Sequence, residues 1–142
     1  MATILLVEDD ANECLLYERE FGEQGHSVVV AHDGAEALAA CEDAKPDLVV
    51  MDVSMPGMDG IDLMGRMLCR NHKLPIIINT AYASYKEDFR SWAADAYVVK
   101  SSDLTELRQT VKHVLETRRA GTGPKSAGAK ECDGGIERVG SG

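Results

Sequence analysis

The sequence lacks the features that mark membrane-embedded, exported and nucleic-acid-binding proteins. No apolar run approaches the roughly 18 residues that a membrane-spanning helix needs. The chain enters a strand-like run at once, without a basic segment and cleavage site, so we expect no signal peptide and a cytoplasmic protein. Positive charge is scarce, because 15 Lys and Arg stand against 24 Asp and Glu, for a net charge of −9. This balance argues against nucleic acid as a partner and suits a domain that binds a cation or a basic protein surface.

Cysteine and histidine groups with the spacing of metal sites are also missing. None of the 4 cysteines forms a C-x-x-C pair, and the 4 histidines show neither metal spacing nor a phosphodonor motif. We therefore expect no metal site built from these two residue types. The 142 residues are enough for one domain with its own core.

Five short apolar runs alternate with segments of helical spacing. The runs are aliphatic or β-branched without polar alternation, which is typical of strands buried in a parallel sheet. Between them, apolar residues recur three or four positions apart, as on amphipathic helices. This alternation predicts an α/β domain with one doubly wound, five-stranded parallel sheet, strand order 2-1-3-4-5, and five helices. The apolar runs are Ile4–Val7, Val28–Val30, Leu48–Met51, Ile76–Ile78 and Tyr97–Val99.

Capping patterns and composition predict where helices begin and where the domain ends. Asp33-Gly34-Ala35-Glu36 indicates a capping box for the second helix, and Ser101-Ser102-Asp103 offers caps for the last one. The segment between Thr80 and Asp95 is the least periodic of the five predicted helices. Residues 120–142 are rich in glycine, with isolated apolar residues. We expect a folded domain over residues 1–119 and a flexible, disordered tail over 120–142.

Polar residues follow four of the five predicted strands. In an open α/β sheet, ligands bind beyond the carboxyl ends of the strands, at the switch point between strands 1 and 3. Carboxylates forced together there repel one another unless a cation intervenes, and Mg²⁺ is suited to this because it takes one or two carboxylates and a phosphoryl oxygen. The residues in question are Glu8, Asp9 and Asp10 after strand 1, Asp52 after strand 3, Thr80 after strand 4 and Lys100 after strand 5.

An aspartate in such surroundings can act as a nucleophile and form an aspartyl phosphate. A metal ion and Lys100 would neutralise charge on the transferring group, and the hydroxyl of Thr80 would hydrogen-bond one of its oxygens. The spacing therefore predicts a phosphoryl-accepting site centred on Asp52.

These motifs resemble the response regulator receiver family of two-component signalling. The similarity rests on Ile4–Asp10, the pattern Asp-x-x-Met-Pro-x-Met-Asp-Gly over 52–60, Thr80-Ala81 and Tyr97–Lys100. It implies a flavodoxin-like (CheY-like) fold and a stand-alone receiver that is phosphorylated by phosphohistidine. Ser101 stands where the family usually carries proline after a cis bond, which implies a changed loop beside Lys100.

The resemblance implies a role for each matching residue. Asp10 is the exception, because its position before the first helix indicates a helix cap rather than a ligand. The implied roles are phosphoacceptor for Asp52, ligands of Mg²⁺ (or Mn²⁺) for Glu8, Asp9, Asp52 and the backbone carbonyl of Ser54, and phosphoryl-binding or switch residues for Thr80, Ala81, Lys100 and Tyr97.

The resemblance also implies a signalling domain that gains and loses its own phosphoryl group, rather than a turnover enzyme. The donor would be a sensor histidine kinase or a histidine phosphotransfer protein. A downstream protein would bind the face formed by the fourth helix, fifth strand and fifth helix that the sequence predicts, with no nucleic-acid or membrane partner. Two alternatives stay open: a pseudo-receiver that binds without phosphorylation, which Ser101 would favour, and a phosphatase with an aspartate nucleophile. The phosphatase would need an acid/base carboxylate where Ser54 stands.

Overall fold

Five strands and four helices make up the described part of the chain. A computed structural model describes residues 2–53, 60–81 and 94–119. The fourth predicted helix, between Thr80 and Asp95, falls largely outside these residues, as do Ser54 and the predicted tail. The elements are β1 (Thr3–Val7), α1 (Ala11–Glu23), β2 (Ser27–Ala31), α2 (Gly34–Asp43), β3 (Leu48–Met51), α3 (Gly60–Arg70), β4 (Ile76–Thr80), β5 (Ala96–Val99) and α4 (Thr105–Arg119).

The strands form one parallel sheet in the order β2-β1-β3-β4-β5, which confirms the predicted order. β1 pairs with β2 on one side and with β3 on the other, so the switch point lies between β1 and β3. Val7 is in register with Met51, and Thr80 is in register with Val99. The residues after these strands therefore emerge at the same edge of the sheet, as the sequence predicts.

Side chains alternate along each strand, so the sheet has two apolar faces, each covered by a pair of helices. We call them the α1–α4 face and the α2–α3 face. Buried residues on the first include Ile4, Leu6, Val50, Ile77 and Val98 of the sheet with Tyr17, Phe21, Leu107 and Val111 of the helices. Buried residues on the second include Leu5, Val7, Met51, Ile78 and Tyr97 of the sheet with Ala37, Leu63, Met64 and Met67 of the helices.

β2 is the strand that departs from the expected burial. Its three valines, Val28–Val30, are only partly buried, because β2 lies at the edge of the sheet and has one neighbouring strand. Val29 packs against the α2–α3 core, and Val28 and Val30 pack against the α1–α4 core, so β2 is covered on both faces but less completely than expected. None of the described helices is long and apolar enough to cross a membrane.

Aspartate side chains cap the first two helices. Asp10 Oδ1 accepts hydrogen bonds from the backbone N–H of Asn12 at 2.9 Å and of Glu13 at 3.1 Å. The interpretation of Asp10 as a cap is thus confirmed. Asp33 Oδ1 accepts from Glu36 N at 2.9 Å, while Glu36 Oε1 accepts from His32 N at 2.8 Å. The capping box is present, but the Glu36 carboxylate accepts from the backbone N–H of His32, one residue before the cap Asp33, and not from that of Asp33.

Two glycines of α3 have opposite surroundings. A Cβ atom at Gly60 would lie 2.6 Å from Val53 Cα, the residue directly after Asp52. Glycine is therefore what allows the start of α3 to approach β3 so closely. At Gly65, one turn further on, a Cβ atom would meet nothing within 4 Å.

Candidate functional site

Lys100 lies at the centre of three carboxylates at the carboxyl edge of the sheet. Its Nζ donates hydrogen bonds to Glu8 Oε1 at 2.9 Å and to Asp52 Oδ2 at 2.8 Å. It also lies 2.6 Å from Glu13 Oε1, although this third contact lacks the angles of a hydrogen bond. One ammonium group therefore joins the ends of β1, β3 and β5 to the first turn of α1.

Strand alternation explains why these side chains meet. Three members of the cluster each stand two positions after a buried residue of the α1–α4 face, so their side chains continue that face beyond the strand ends. Helix α1 covers the same face, which brings Glu13 over the cluster. The corresponding pairs are Leu6 and Glu8, Val50 and Asp52, and Val98 and Lys100.

Burial and pairing set the charge of the cluster. The side chains of Glu8, Asp52 and Lys100 are 3%, 11% and 14% exposed. Burial raises the pKa of Glu8, and its contact with Lys100 offsets this only in part. Burial by itself would lower the pKa of Lys100, but hydrogen bonds and charge contacts with the carboxylates outweigh it and raise that pKa. One ammonium thus faces three carboxylates, and the cluster can attract a further cation.

Glu13 is the member that the strand-end argument missed, because it lies on a helix. A signal for it was present in the sequence: Glu13, Tyr17 and Phe21 are spaced four apart and share one side of α1. Tyr17 and Phe21 are 3% and 0% exposed. A carboxylate on the buried side of a helix is rare unless it is paired, so this spacing could have predicted a cationic partner.

The carboxylates present suit a hard divalent cation. Mg²⁺ prefers oxygen ligands and needs only one or two protein carboxylates, with water completing its shell. Glu8 and Asp52 supply such oxygens around one point, and Asp9 next to them is exposed. Within residues 2–53, 60–81 and 94–119 no three acidic, His or Cys side chains are arranged to hold a metal ion by themselves. Ser54, the source of the predicted carbonyl ligand, lies outside those ranges.

Thr80 and Tyr97, the predicted switch residues, belong to the opposite face. Tyr97 is part of the α2–α3 core, and Thr80 stands two positions after Ile78 of the same core. Both are buried, at 0% and 7% exposure, whereas Ala81 is exposed. Lys100 N donates to Thr80 O at 2.7 Å, so the backbone joins the two sets of residues where β4 and β5 end.

The loop after Lys100 is organised by polar side chains. The described backbone contains no cis peptide bond. Ser101 Oγ accepts a hydrogen bond from Asp103 N at 3.1 Å, and Asp103 Oδ1 accepts from Thr105 N at 2.9 Å at the start of α4. Proline could not supply the first of these acceptors, and with serine in its place Lys100 still reaches Asp52.

One family model and several curated proteins are similar to this chain. The family model described as the response regulator receiver domain matches residues 4–112. Regulatory protein AtoC of Escherichia coli (strain K12) is 38% identical over 116 residues, which are 80% of this chain and 25% of AtoC. Sporulation initiation phosphotransferase F of Bacillus subtilis (strain 168) is 32% identical over 114 residues, 79% of this chain and 92% of that protein. The chain thus spans about a quarter of AtoC and most of the Bacillus protein.

Solved structures show the same relationship. Response regulator protein TrrA of Thermotoga maritima, crystallised with Mg(2+)-BeF, is 39% identical with a TM-score of 0.75, covering 80% of this chain and 99% of that chain. The structure of histidine kinase ThkA in complex with TrrA matches at 40% identity and a TM-score of 0.74, covering 81% of this chain and 99% of that chain.

Proposed function

Because this chain belongs to the response regulator receiver family, we propose that it accepts a phosphoryl group on Asp52 from a phosphohistidine. The observation that carries the proposal is the hydrogen bond of 2.8 Å between Asp52 Oδ2 and Lys100 Nζ, beside buried Glu8, at the carboxyl edge of the sheet. The donor is a sensor histidine kinase or a histidine phosphotransfer protein. The solved complex of ThkA with TrrA supports a kinase partner.

The metal ion in this proposal is Mg²⁺ or Mn²⁺, held by Glu8, Asp9, Asp52 and the backbone carbonyl of Ser54. When bound, it supplies positive charge to the phosphoryl oxygens. The crystal structure of TrrA with Mg(2+)-BeF, at 39% identity, supports this choice of metal.

In the transfer step, a carboxylate oxygen of Asp52 attacks phosphorus in line as the bond from phosphorus to the donor's histidine nitrogen breaks. Lys100, already paired with Asp52, places its ammonium beside the incoming phosphoryl oxygens and neutralises their charge. Glu8 keeps Lys100 on the α1–α4 face through its hydrogen bond of 2.9 Å.

The response to phosphorylation is proposed to run through the other face. The hydroxyl of Thr80, with Ala81 leaving room beside it, follows the phosphoryl group, and Tyr97 changes its ring position in turn. Phosphorylation thereby shifts the equilibrium toward a conformation that binds a downstream protein through the surface around β5 and α4. In this proposal residues 1–119 form a cytoplasmic signalling domain that turns over no substrate.

Asp52→Asn tests the assignment. The amide cannot form the aspartyl phosphate, so labelling by acetyl phosphate or by a cognate kinase should fall to background. Asp43→Asn is a matched control, because it makes the same chemical change at a residue that is exposed at the end of α2. Retained labelling of Asp52→Asn, with unfolding like that of the parent protein, would contradict the proposal.

A further inference from the structure

Glu13 contacts the lysine of the proposed phosphoryl site without following a strand. Resting on the function proposed above, we propose that Glu13 is a positioning residue that holds Lys100 in the free protein and competes with the phosphoryl group for it. Its carboxylate acts through Lys100 and does not touch the reacting atoms.

Three carboxylates already surround the ammonium of Lys100 in the structure. It has three protons to donate, and three carboxylates lie within 2.9 Å of Nζ: Glu8, Asp52 and Glu13. A phosphoryl oxygen that pairs with Lys100 must therefore displace one of them. Glu8 and Asp52 both belong to the site that receives the phosphoryl group, which leaves Glu13 as the carboxylate to be displaced.

The contact of Glu13 has the properties expected of a releasable one. Its Oε1 is buried, lies 2.6 Å from Lys100 Nζ and accepts no hydrogen bond from any other described group. Its side chain is 33% exposed, against 3% for Glu8 and 11% for Asp52. Once separated from Lys100, this carboxylate can turn into water, where an unpaired charge costs little.

The first turn of α1 fixes the position from which Glu13 acts. Asp10 Oδ1 accepts a hydrogen bond from Glu13 N at 3.1 Å, which anchors the backbone of this residue. One turn later Tyr17 is buried on the same side of the helix. The helix therefore directs the Glu13 side chain toward the cluster, and only its outer part can move away.

Glu13→Gln is the variant that tests this competition. It keeps the size of the side chain but removes the charge that holds Lys100. The affinity for beryllofluoride, a phosphoryl mimic, should rise about three- to tenfold in the presence of saturating Mg²⁺. The readout is a titration with beryllofluoride followed by NMR chemical shifts.

Glu18→Gln is the matched control for overall charge. Glu18 lies on the same helix, is exposed and undergoes the same substitution. Its beryllofluoride affinity should stay within about twofold of the parent protein. An equal gain in both variants, or no gain in Glu13→Gln, would overturn the proposal. A Mg²⁺ affinity lowered more than about tenfold in Glu13→Gln would also overturn it, because Glu13 would then be acting on the metal.

A double-mutant cycle with Lys100→Met shows whether Glu13 acts through the lysine. Without the ammonium, Glu13→Gln should no longer raise beryllofluoride affinity more than Glu18→Gln does. If Lys100→Met binds too weakly to titrate, the same cycle is measured by urea unfolding of the free protein. Independent effects of the two substitutions would then contradict the proposal. Asp52→Asn separates the two hypotheses, since labelling that survives it contradicts the phosphoacceptor assignment, whereas an ineffective Glu13→Gln contradicts only the competition.

Discussion

The two faces of the sheet place different kinds of residue at its carboxyl edge. The α1–α4 face ends in charged residues, with Glu8 and Asp52 both hydrogen-bonded to Lys100. The α2–α3 face ends in Thr80, above a core that contains Tyr97. Neighbouring residues of one strand point to opposite faces of the sheet. A shift of one residue along a strand therefore moves a side chain from the face of the charged cluster to the face of the proposed switch residues.

The two cores also differ in composition. The α1–α4 face contains the stacked rings of Tyr17 and Phe21, whose centroids are 6.4 Å apart. The α2–α3 face contains Met51, Met64 and Met67, all fully buried. Methionine has three rotatable bonds and fills irregular space, whereas aromatic rings have few rotamers. The core below the charged cluster thus contains side chains with few rotamers, and the core below the proposed switch residues contains side chains with more.

The largest effect on stability is expected from removing an aromatic ring of the α1–α4 core. Phe21→Ala should lower the free energy of unfolding by about 3–5 kcal/mol, because a fully buried ring leaves a large cavity. Met64→Ala on the other face should cost less, about 2–3 kcal/mol, since methionine neighbours can repack. Urea unfolding measures both. Leu15→Ala is the control on α1, with a residue that is 66% exposed, and a comparable loss there would contradict the assignment of faces.

A smaller effect is expected at Glu8, with a defined pH dependence. The pKa of Glu8 is raised above its ordinary 4.5 in the folded protein, so the folded state binds this proton more tightly than the unfolded state does. Its stabilising contribution is present below pH 4.5 and is lost as pH rises through the folded pKa. Glu8→Gln should therefore be more stable than the parent protein at pH 7 in metal-free buffer, because the amide avoids the cost of burying a charge.

The difference between Glu8→Gln and the parent should shrink as the pH is lowered toward 4.5. Urea unfolding at several pH values, with a chelator present, follows this difference. Glu23→Gln serves as the control, because Glu23 is exposed at the end of α1. A Glu8→Gln variant less stable than the parent at pH 7 would show that pairing with Lys100 outweighs the cost of burial.

The smallest expected effects distinguish the helix caps of the two faces. Asp10→Ala should cost about 1 kcal/mol and Asp33→Ala a few tenths less, because Asp10 accepts two backbone N–H groups and Asp33 accepts one. Unfolding curves give both values. Asp10→Ala should also loosen the turn that carries Glu13, and so raise beryllofluoride affinity slightly. An equal gain in beryllofluoride affinity in Asp33→Ala would contradict the prediction that the α1 cap acts on the site.

The sheet could be predicted from the sequence because its strands are uninterrupted apolar runs. Thr80 was predicted to follow strand 4, whereas it is the last residue of β4. Asn79 and Thr80 are 3% and 0% exposed, and polarity in a sequence does not reveal such burial. The partial exposure of β2 was likewise not predictable from its valines, because the edge position depends on the order of the strands.

The candidate site was predictable to the extent that strands fix it. Glu8, Asp52 and Lys100 follow parallel strands, and the edge rule for such sheets brings them together without further information. Glu13 depends on how α1 lies across the sheet, which is set by the packing of Tyr17 and Phe21. Tertiary packing of this kind cannot be predicted from the spacing of charged residues.

The two glycines of α3 differ in how much variation each position can accept. Gly65 has open space around it, so alanine there should be tolerated and should even favour the helix by about 1 kcal/mol. Any side chain at position 60 would instead press on Val53, next to Asp52. Substitution of Gly65 should therefore leave the site unchanged, whereas substitution of Gly60 should displace the backbone beside Asp52. The absence of a side chain at Gly60 thus sets how closely α3 can approach the residue next to Asp52.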